Sequence, residues 1–201
     1  MKIVTGIDQG SEEWLQLRAG KVTASNFSKV MAKGAGKTRK GYLYQLAAEI
    51  LTSAPIETFK NAAMEWGNEC EPQARSMYEF SEDCEVEEVT FIHGMEGVGV
   101  SPDGLVGDNG LLEIKSPNTT TQIERYLSGK FPTTYNAQVQ GQLWVAEREW
   151  CDFVSFDPRI DGKASYFKIR VDRDDYYIAE LSKEVQIFIN DLSEMLDKLR
   201  G

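Results

Sequence analysis

Residues 101–117 read Ser-Pro-Asp-Gly-Leu-Val-Gly-Asp-Asn-Gly-Leu-Leu-Glu-Ile-Lys-Ser-Pro, and the turn residues at their centre predict a β-hairpin. A hairpin leaves little freedom to the three charged side chains it carries, Asp103, Glu113 and Lys115. Glu113 and Lys115 are two residues apart, so on a strand they project from one face, roughly 7 Å apart along the chain. Asp103 joins that face only if the register has the right parity. A two-residue turn at Asn109-Gly110 sets Asp103 opposite Ser116, on the wrong face. A three-residue loop, Asp108-Asn109-Gly110 with Gly110 left-handed, pairs Asp103 with Lys115 and is the expected arrangement. Two carboxylates beside a lysine can hold a hard divalent cation next to a reacting phosphate or attacking water, which makes a metal-dependent nuclease the leading reading.

The rest of the chain alternates helical and strand patterns. Ser11 is a plausible N-cap for a short helix carrying Trp14, Leu17 and Arg18, with Gly20 after its last turn, and a second helix opens at Thr23–Met31. Gly34 to Gly41 form a glycine-punctuated basic loop, read as a flexible DNA-contacting segment. Its Gly-Lys-Thr is no Walker A motif, because that spacing needs glycine at position 31, which is Met31. Helical periodicity runs through Tyr42–Leu51 and Ala62–Phe80, with a kink or a new start expected at Pro72. A strand region at Val86–Ile92 precedes the hairpin arms Val98–Val106 and Leu111–Ser116. Tyr135–Glu147 reads as a helix with Gln138 and Gln142 on one face, and Cys151–Phe156 and Tyr166–Val171 as strands. Tyr176 to Arg200 carries a stripe from Ile178 through Leu181, Val185, Phe188, Leu192 and Met195 to Leu199, read as a helix packed on its own sheet, although three such heptads could also form an intersubunit seam. The fold class is therefore α/β (α+β), a central mixed β-sheet with helices on its faces.

The chain has 201 residues, 41% of them hydrophobic. That is enough for one domain, residues 1–201, and no linker, low-complexity stretch or repeat divides it. No apolar run approaches a membrane span, so a soluble, cytoplasmic protein without membrane association is expected. Three cysteines, Cys70, Cys84 and Cys151, without Cys-x-x-Cys spacing argue against a disulfide framework, a zinc ribbon or an iron–sulfur cluster. A net charge of −10 speaks against indiscriminate coating of DNA. The charge is uneven, however: residues 11–45 hold seven Lys or Arg against two Glu, and residues 65–90 hold nine acids against Arg75 alone. Most of those acids are read as a solvated face.

Taken together, the blocks Arg18-Ala-Gly-Lys-Val-Thr-Ala-Ser25, Trp66-Gly-Asn-Glu-Cys-Glu71-Pro-Gln-Ala-Arg75, Ser101-Pro-Asp103-Gly, Leu112-Glu113-Ile-Lys115-Ser-Pro117, Tyr135-Asn-Ala-Gln138-Val-Gln140-Gly-Gln-Leu-Trp144-Val and Phe156-Asp157-Pro-Arg159 resemble the lambda exonuclease and YqaJ-like viral recombinase family, a branch of the PD-(D/E)xK nucleases. The resemblance runs through nearly the whole chain. It implies a PD-(D/E)xK core and a magnesium-dependent exonuclease that degrades the 5′-ended strand of linear duplex DNA in the 5′→3′ direction. The 3′ overhang left behind would serve a single-strand annealing protein. It also implies a ring-shaped homotrimer around the DNA. By the same resemblance Asp103 and Glu113 match metal ligands and Glu71 a further acidic ligand or water-binding group. Lys115 matches the lysine that orients or deprotonates the attacking water, and Gln138 a residue that helps to position it. Two Mg2+ ions per site, about 4 Å apart and replaceable by Mn2+, suit phosphodiester hydrolysis. Arg18 and Ser25 match residues that recognise a terminal 5′ phosphate, with Ser101 joining them, and a guanidinium fork with hydroxyl donors suits a dianionic phosphate.

Met64 resembles an apolar position that wedges open the duplex end, while a Met on an amphipathic helix is more often a core residue. His93 has no partner at metal-ligand spacing and is read as structural. Trp14, Trp66, Trp144 and Trp150 are read as core anchors. The alternatives are a structure-specific or restriction-type endonuclease with the same metal core and a non-catalytic DNA-end-binding module.

Overall fold

The computed structural model describes residues 2–32, 36–56 and 62–201. Among them, two mixed sheets are flanked by helices. The larger sheet has the order β3 (Val86–Glu87), β6 (Gly104–Val106), β7 (Gly110–Lys115), β8 (Trp150–Phe156), β9 (Tyr166–Asp172). Only its β7–β8 pair is parallel. The smaller has the order β1 (Lys2–Val4), β4 (Phe91–His93), β5 (Val98–Val100), β2 (Val22–Thr23). No helix among the described residues is long and apolar enough to cross a membrane, and Cys70, Cys84 and Cys151 are all free thiols.

Strands β7 and β8 are buried on both faces, so their residues divide two cores by alternation. Leu111, Cys151 and Phe153 face the larger cluster, with Phe27, Leu143, Leu181 and Phe188. Leu112, Ile114, Val154 and Phe156 face a smaller cluster with Cys70, Ala74 and Tyr78 of α4 (Ala62–Glu82). Glu113 lies on the first of these faces, under α6 (Asn136–Val145).

The hairpin departs from expectation in its loop but not in its parity. Val106 pairs with Gly110 and Gly104 with Leu112, so the three-residue loop is Gly107-Asp108-Asn109, one residue earlier than expected. The left-handed residue is Gly107, at φ 53°. Gly110 is instead a strand residue facing Trp150, where a Cβ would stand 2.2 Å from the indole ring. The shift places Asp103 opposite Glu113 rather than Lys115, and its amide donates to the Leu112 carbonyl at 3.1 Å.

Both long strand segments are broken. Val86–Ile92 is two short strands in different sheets, β3 and β4, and Val98–Val106 divides into β5 and β6 at Ser101-Pro102-Asp103. Pro102 has no N–H to give to a ladder, and the chain crosses there from one sheet to the other. Helix α4 instead runs continuously through Pro72, with no new start, its inner side held by buried Cys70, Ala74 and Tyr78. Gly34 and Ala35 of the expected basic loop lie outside the described residues, while Lys37 to Gly41 are the first turns of α3 (Lys37–Thr52) rather than loop.

Helix α1 (Glu12–Arg18) is capped by Ser11, whose hydroxyl accepts from the Trp14 amide. The second expected helix is a 3₁₀ turn followed by one turn of α2 (Phe27–Val30), and α5 (Thr119–Ser128) is capped by Asn118. In α7 (Asp175–Arg200) the stripe ends on Leu196, with Leu199 59% exposed, because 3.6 residues per turn carries a 3–4 alternation off the buried face. The helix packs on α2, α3 and α6 rather than on a sheet, with Phe188 stacked on Tyr42 at 5.4 Å. The four tryptophans are half-buried; Trp144 packs against the larger core cluster and Trp66 and Trp150 against the smaller. Arg18, Arg159 and Arg170 lie over the rings of Trp14, Trp66 and Trp150 at 4.1, 4.2 and 3.6 Å.

Two helical glycines separate propensity from packing. A Cβ on Gly41 of α3 meets nothing within 4 Å, whereas one on Gly141 of α6 would lie 2.1 Å from the ring of Phe27, which is fully buried. Gly41→Ala is expected to gain about 0.5–1 kcal/mol of helix propensity, raising Tm by about 1–4 °C in a chain of this size. Gly141→Ala has the same gain but incurs overpacking of about 1–3 kcal/mol, so thermal unfolding is expected to show a lowered Tm.

Candidate active site

Asp103, Glu113 and Lys115 come together where the hairpin meets α4 and α6. The Asp103 carboxylate accepts the Ile114 amide at 2.6 Å. Glu113 is 1% exposed, and its two oxygens accept from the side-chain amides of Gln138 (2.5 Å) and Gln142 (2.7 Å), one turn apart on α6. Lys115 forms an ion pair with the same carboxylate and lies 5.7 Å from the centre of the Tyr135 ring. Glu71, on α4, is paired with Arg75 at 2.5 Å, and Arg75 reaches on to Glu88 at 2.8 Å and the Asp103 carbonyl at 3.3 Å.

This cluster has more negative charge than its cations relieve. Burial, then the nearby Glu113 and Glu71, push the Asp103 carboxyl well above the usual carboxylate range. Burial raises Glu71 too, against the pull of Arg75. For Lys115 burial works toward the neutral amine, but Glu113 and Asp103 outweigh it and hold the ammonium form. Among the described residues no three His, Cys, Asp or Glu side chains converge closely enough to hold a metal ion unaided. Asp103 and Glu113, opposite each other in the hairpin register, are the hard-oxygen pair that could hold a divalent cation, whose charge would lower the Asp103 pKa again. Glu71 is committed to Arg75 and stands beside that pair.

A second constellation is built on the first helix. Arg18 ends α1 and lies over the Trp14 ring. Its guanidinium donates to Thr23 Oγ1 (3.3 Å), Ser25 Oγ (3.3 Å) and Ser101 Oγ (3.4 Å). Trp14 Nε1 holds the same Ser101 oxygen at 3.1 Å, and Asn26 holds Thr23 at 3.1 Å. Burial lowers the Arg18 pKa to about 10, with Tyr42 and Glu49 only partly offsetting it. A desolvated guanidinium whose hydrogen bonds are long and go to hydroxyls is a ready anion site. Thr23 and Asn26 are not singled out by the sequence, although Thr23 stands in the same block as Arg18 and Ser25, and Trp14 reads there only as a core anchor.

Met64 is 48% exposed, on the wall of a cleft of about 500 Å³ that it shares with Gln9, Trp14, Glu71, Arg75 and Asp103. It is not a core residue. His93 packs edge-on against Phe91 at 4.9 Å, on the smaller sheet. Gln142 is the site residue the sequence reading passed over, despite its visible spacing from Gln138. Arg125 is buried behind Tyr135, donating to Ser155 Oγ and the Tyr135 hydroxyl, each at 3.0 Å.

Comparison with known proteins places this geometry. Residues 13–149 match the YqaJ-like viral recombinase domain. The crystal structure of an alkaline exonuclease, LHK-Exo, from Laribacter hongkongensis is 44% identical and superposes with a TM-score of 0.89, over 94% of this chain and 96% of that one. The same protein has been solved in complex with dAMP. A phage-related exonuclease from Haemophilus somnus 129PT shares the fold, at 17% identity and a TM-score of 0.69 over 89% of this chain and 96% of that one. An uncharacterised protein of Acanthamoeba polyphaga mimivirus, R354, is 27% identical over 77% of this chain, which spans only 30% of the viral protein's length. By the recombinase-domain match and the 44% identity to LHK-Exo, this chain belongs to the YqaJ-like viral recombinase family, the family of lambda exonuclease.

Proposed function

We propose that the chain is a Mg2+-dependent exonuclease that removes the 5′-ended strand of linear duplex DNA in the 5′→3′ direction, leaving 3′ overhangs for a single-strand annealing protein in the cytoplasm. The observation that carries this reading is the placement of two sites by one short segment. Ser101 belongs to the Arg18 anion pocket and Asp103, two residues on, to the acidic centre. Asp103 and Glu113 would hold the metal, with Glu71 contributing through water and a second ion completing the pair. Mg2+, or Mn2+ in its place, supplies neutralisation of the charge that develops on the phosphate oxygens. Lys115, kept as an ammonium by its carboxylate neighbours, orients the attacking water by hydrogen bonding to its oxygen, and Gln138 fixes the Glu113 oxygen nearest to it. Arg18, Ser25 and Ser101 take the terminal 5′ phosphate, with Thr23 fixing the guanidinium. Met64, exposed in the adjoining cleft, is placed to meet the terminal base pair as a wedge.

Asp103→Ala and Glu113→Ala are each expected to abolish Mg2+-dependent hydrolysis of end-labelled linear duplex while leaving folding and some end binding intact. Closed circular DNA is expected to survive wild type. Magnesium-dependent cutting of closed circles would identify an endonuclease instead, and end binding without any cleavage a non-catalytic module.

The phosphate pocket has its own readout. Wild type is expected to prefer 5′-phosphorylated over 5′-hydroxyl ends, and Arg18→Ala to lose roughly 10- to 100-fold on phosphorylated ends, the equivalent of about 1.5–3 kcal/mol for a charge-assisted contact. Equal wild-type rates on both ends would remove the pocket's assignment.

For assembly the proposal is a homotrimeric ring closed by heterologous interfaces, with the basic residues between Arg18 and Lys40 toward the bore and surplus acids outward. Sedimentation equilibrium is expected to return about three times the chain mass of 22.6 kDa. A fully processive monomer would overturn the ring.

A further inference from the structure

We infer that Gln142 is a positioning residue for Glu113: it holds the inner oxygen of that carboxylate and so fixes the rotamer in which Glu113 would meet a cation. The inference rests on the metal-site reading above. Gln142 is fully buried, and its Nε2 donates to Glu113 Oε2 at 2.7 Å. Gln138, one turn earlier and half-exposed, holds Oε1 on the side where Lys115 approaches. The two carboxylate oxygens are therefore not equivalent. One is held by a single, fully buried amide, and the other takes both Gln138 and Lys115.

The far end of the Gln142 side chain carries the argument further. Its Oε1 is buried without a hydrogen-bond partner among the described residues. An amide placed for its own stability would have both ends satisfied, as Gln140 on the same helix has. Gln140 is also buried, donating to the Asp172 carbonyl at 2.9 Å and accepting the Asp174 amide at 2.9 Å. Gln142 retains a desolvated, unpaired oxygen, and what its other end holds is a buried carboxylate. The unpaired oxygen also fixes the orientation. Rotating the amide by half a turn would put oxygen against the Glu113 oxygen, so the nitrogen must face the carboxylate. A ligand held in one rotamer presents a defined point of attachment, which is how groups behind a metal ligand set affinity and rate.

Gln140 supplies the matched control, being equally buried, on the same helix and without a contact to the acidic centre. Gln142→Leu, which keeps the volume and removes the donor, is expected to lower kcat on 5′-phosphorylated linear duplex about 10- to 100-fold, with KM for DNA ends within about two-fold. Calorimetric titration with Mn2+ in the absence of DNA is expected to show about ten-fold weaker binding. Gln140→Leu is expected to lower Tm without moving either quantity. Gln142→Met, flexible enough to fill the same space, carries the test if the leucine variant does not fold. Wild-type kcat and Mn2+ affinity in a folded Gln142 variant would overturn the assignment, as would equal losses in Gln140→Leu. The Mn2+ titration needs no DNA and judges Gln142 even if the proposed hydrolysis fails, while a wild-type chain that takes up no Mn2+ would refute both.

Discussion

A carboxylate that is 1% exposed, in the middle of a strand buried on both faces, is the constraint from which most of this architecture follows. An ionised Glu113 in that position loses its hydration, a loss of several kcal/mol unless donors replace the water. Gln138, Gln142 and Lys115 are those donors. They explain why a helix as enclosed as α6, with Ala137, Val139, Leu143 and Val145 buried, carries glutamines among them. They also fix the height of α6 over β7, because hydrogen bonds of 2.5 and 2.7 Å leave no room for the helix to slide by a turn. That height in turn brings Gly141 onto Phe27 and ties α6 to α2.

The opposite face of the same strands meets a parallel problem with a different solution. Asp152, fully buried on β8, is gripped by both nitrogens of Arg170 at 2.8 Å and by the Tyr78 hydroxyl at 2.8 Å, and these contacts hold its pKa below the usual range although burial alone would raise it. Asp157 is held in the same way by Arg159 and Thr119. Arg170 and Arg159 lie over tryptophans. These carboxylates are fully compensated and positioned away from the hairpin face, so the structure separates charges that are neutralised internally from the Asp103–Glu113 pair, which is not.

How much of this the sequence discloses depends on whether the deciding contact is local. The parity of the hairpin is local, since any three-residue loop puts Asp103 on the Glu113 face, and it was legible. The loop's position is not local, because the residue that forces Gly110 into the strand is Trp150, forty positions away on β8. The acidic centre was readable from residue types and spacing in one segment. The Arg18 pocket was readable only from the family resemblance, since nothing local brings Ser101 to α1; that contact requires β5 to pair with β2. Helix α4 shows the reverse: proline propensity predicts a kink or a new start at Pro72, but no new start occurs, because packing of Cys70, Ala74 and Tyr78 on either side outweighs one missing hydrogen bond. Gln142 was visible as a spacing, but its role depends on a buried partner that no periodicity identifies.

Ser101-Pro102-Asp103 is where the two sheets and the two candidate sites become one device. Ser101 leaves the smaller sheet bound to Trp14 and Arg18, Pro102 breaks the ladder, and Asp103 enters the larger sheet under the Ile114 amide. Proline's fixed φ makes this crossing stiff, and the residue before it is confined to extended conformations. The separation between anion pocket and acidic centre is therefore set by about two extended residues, roughly 7 Å, rather than by the packing of one sheet against the other. Gln9 strengthens the crossing by donating to both the Pro102 and Val89 carbonyls, at 3.1 and 3.0 Å. Under the proposed function, a chain end held at Arg18 would meet the acidic pair at an offset set chiefly by this stretch of backbone.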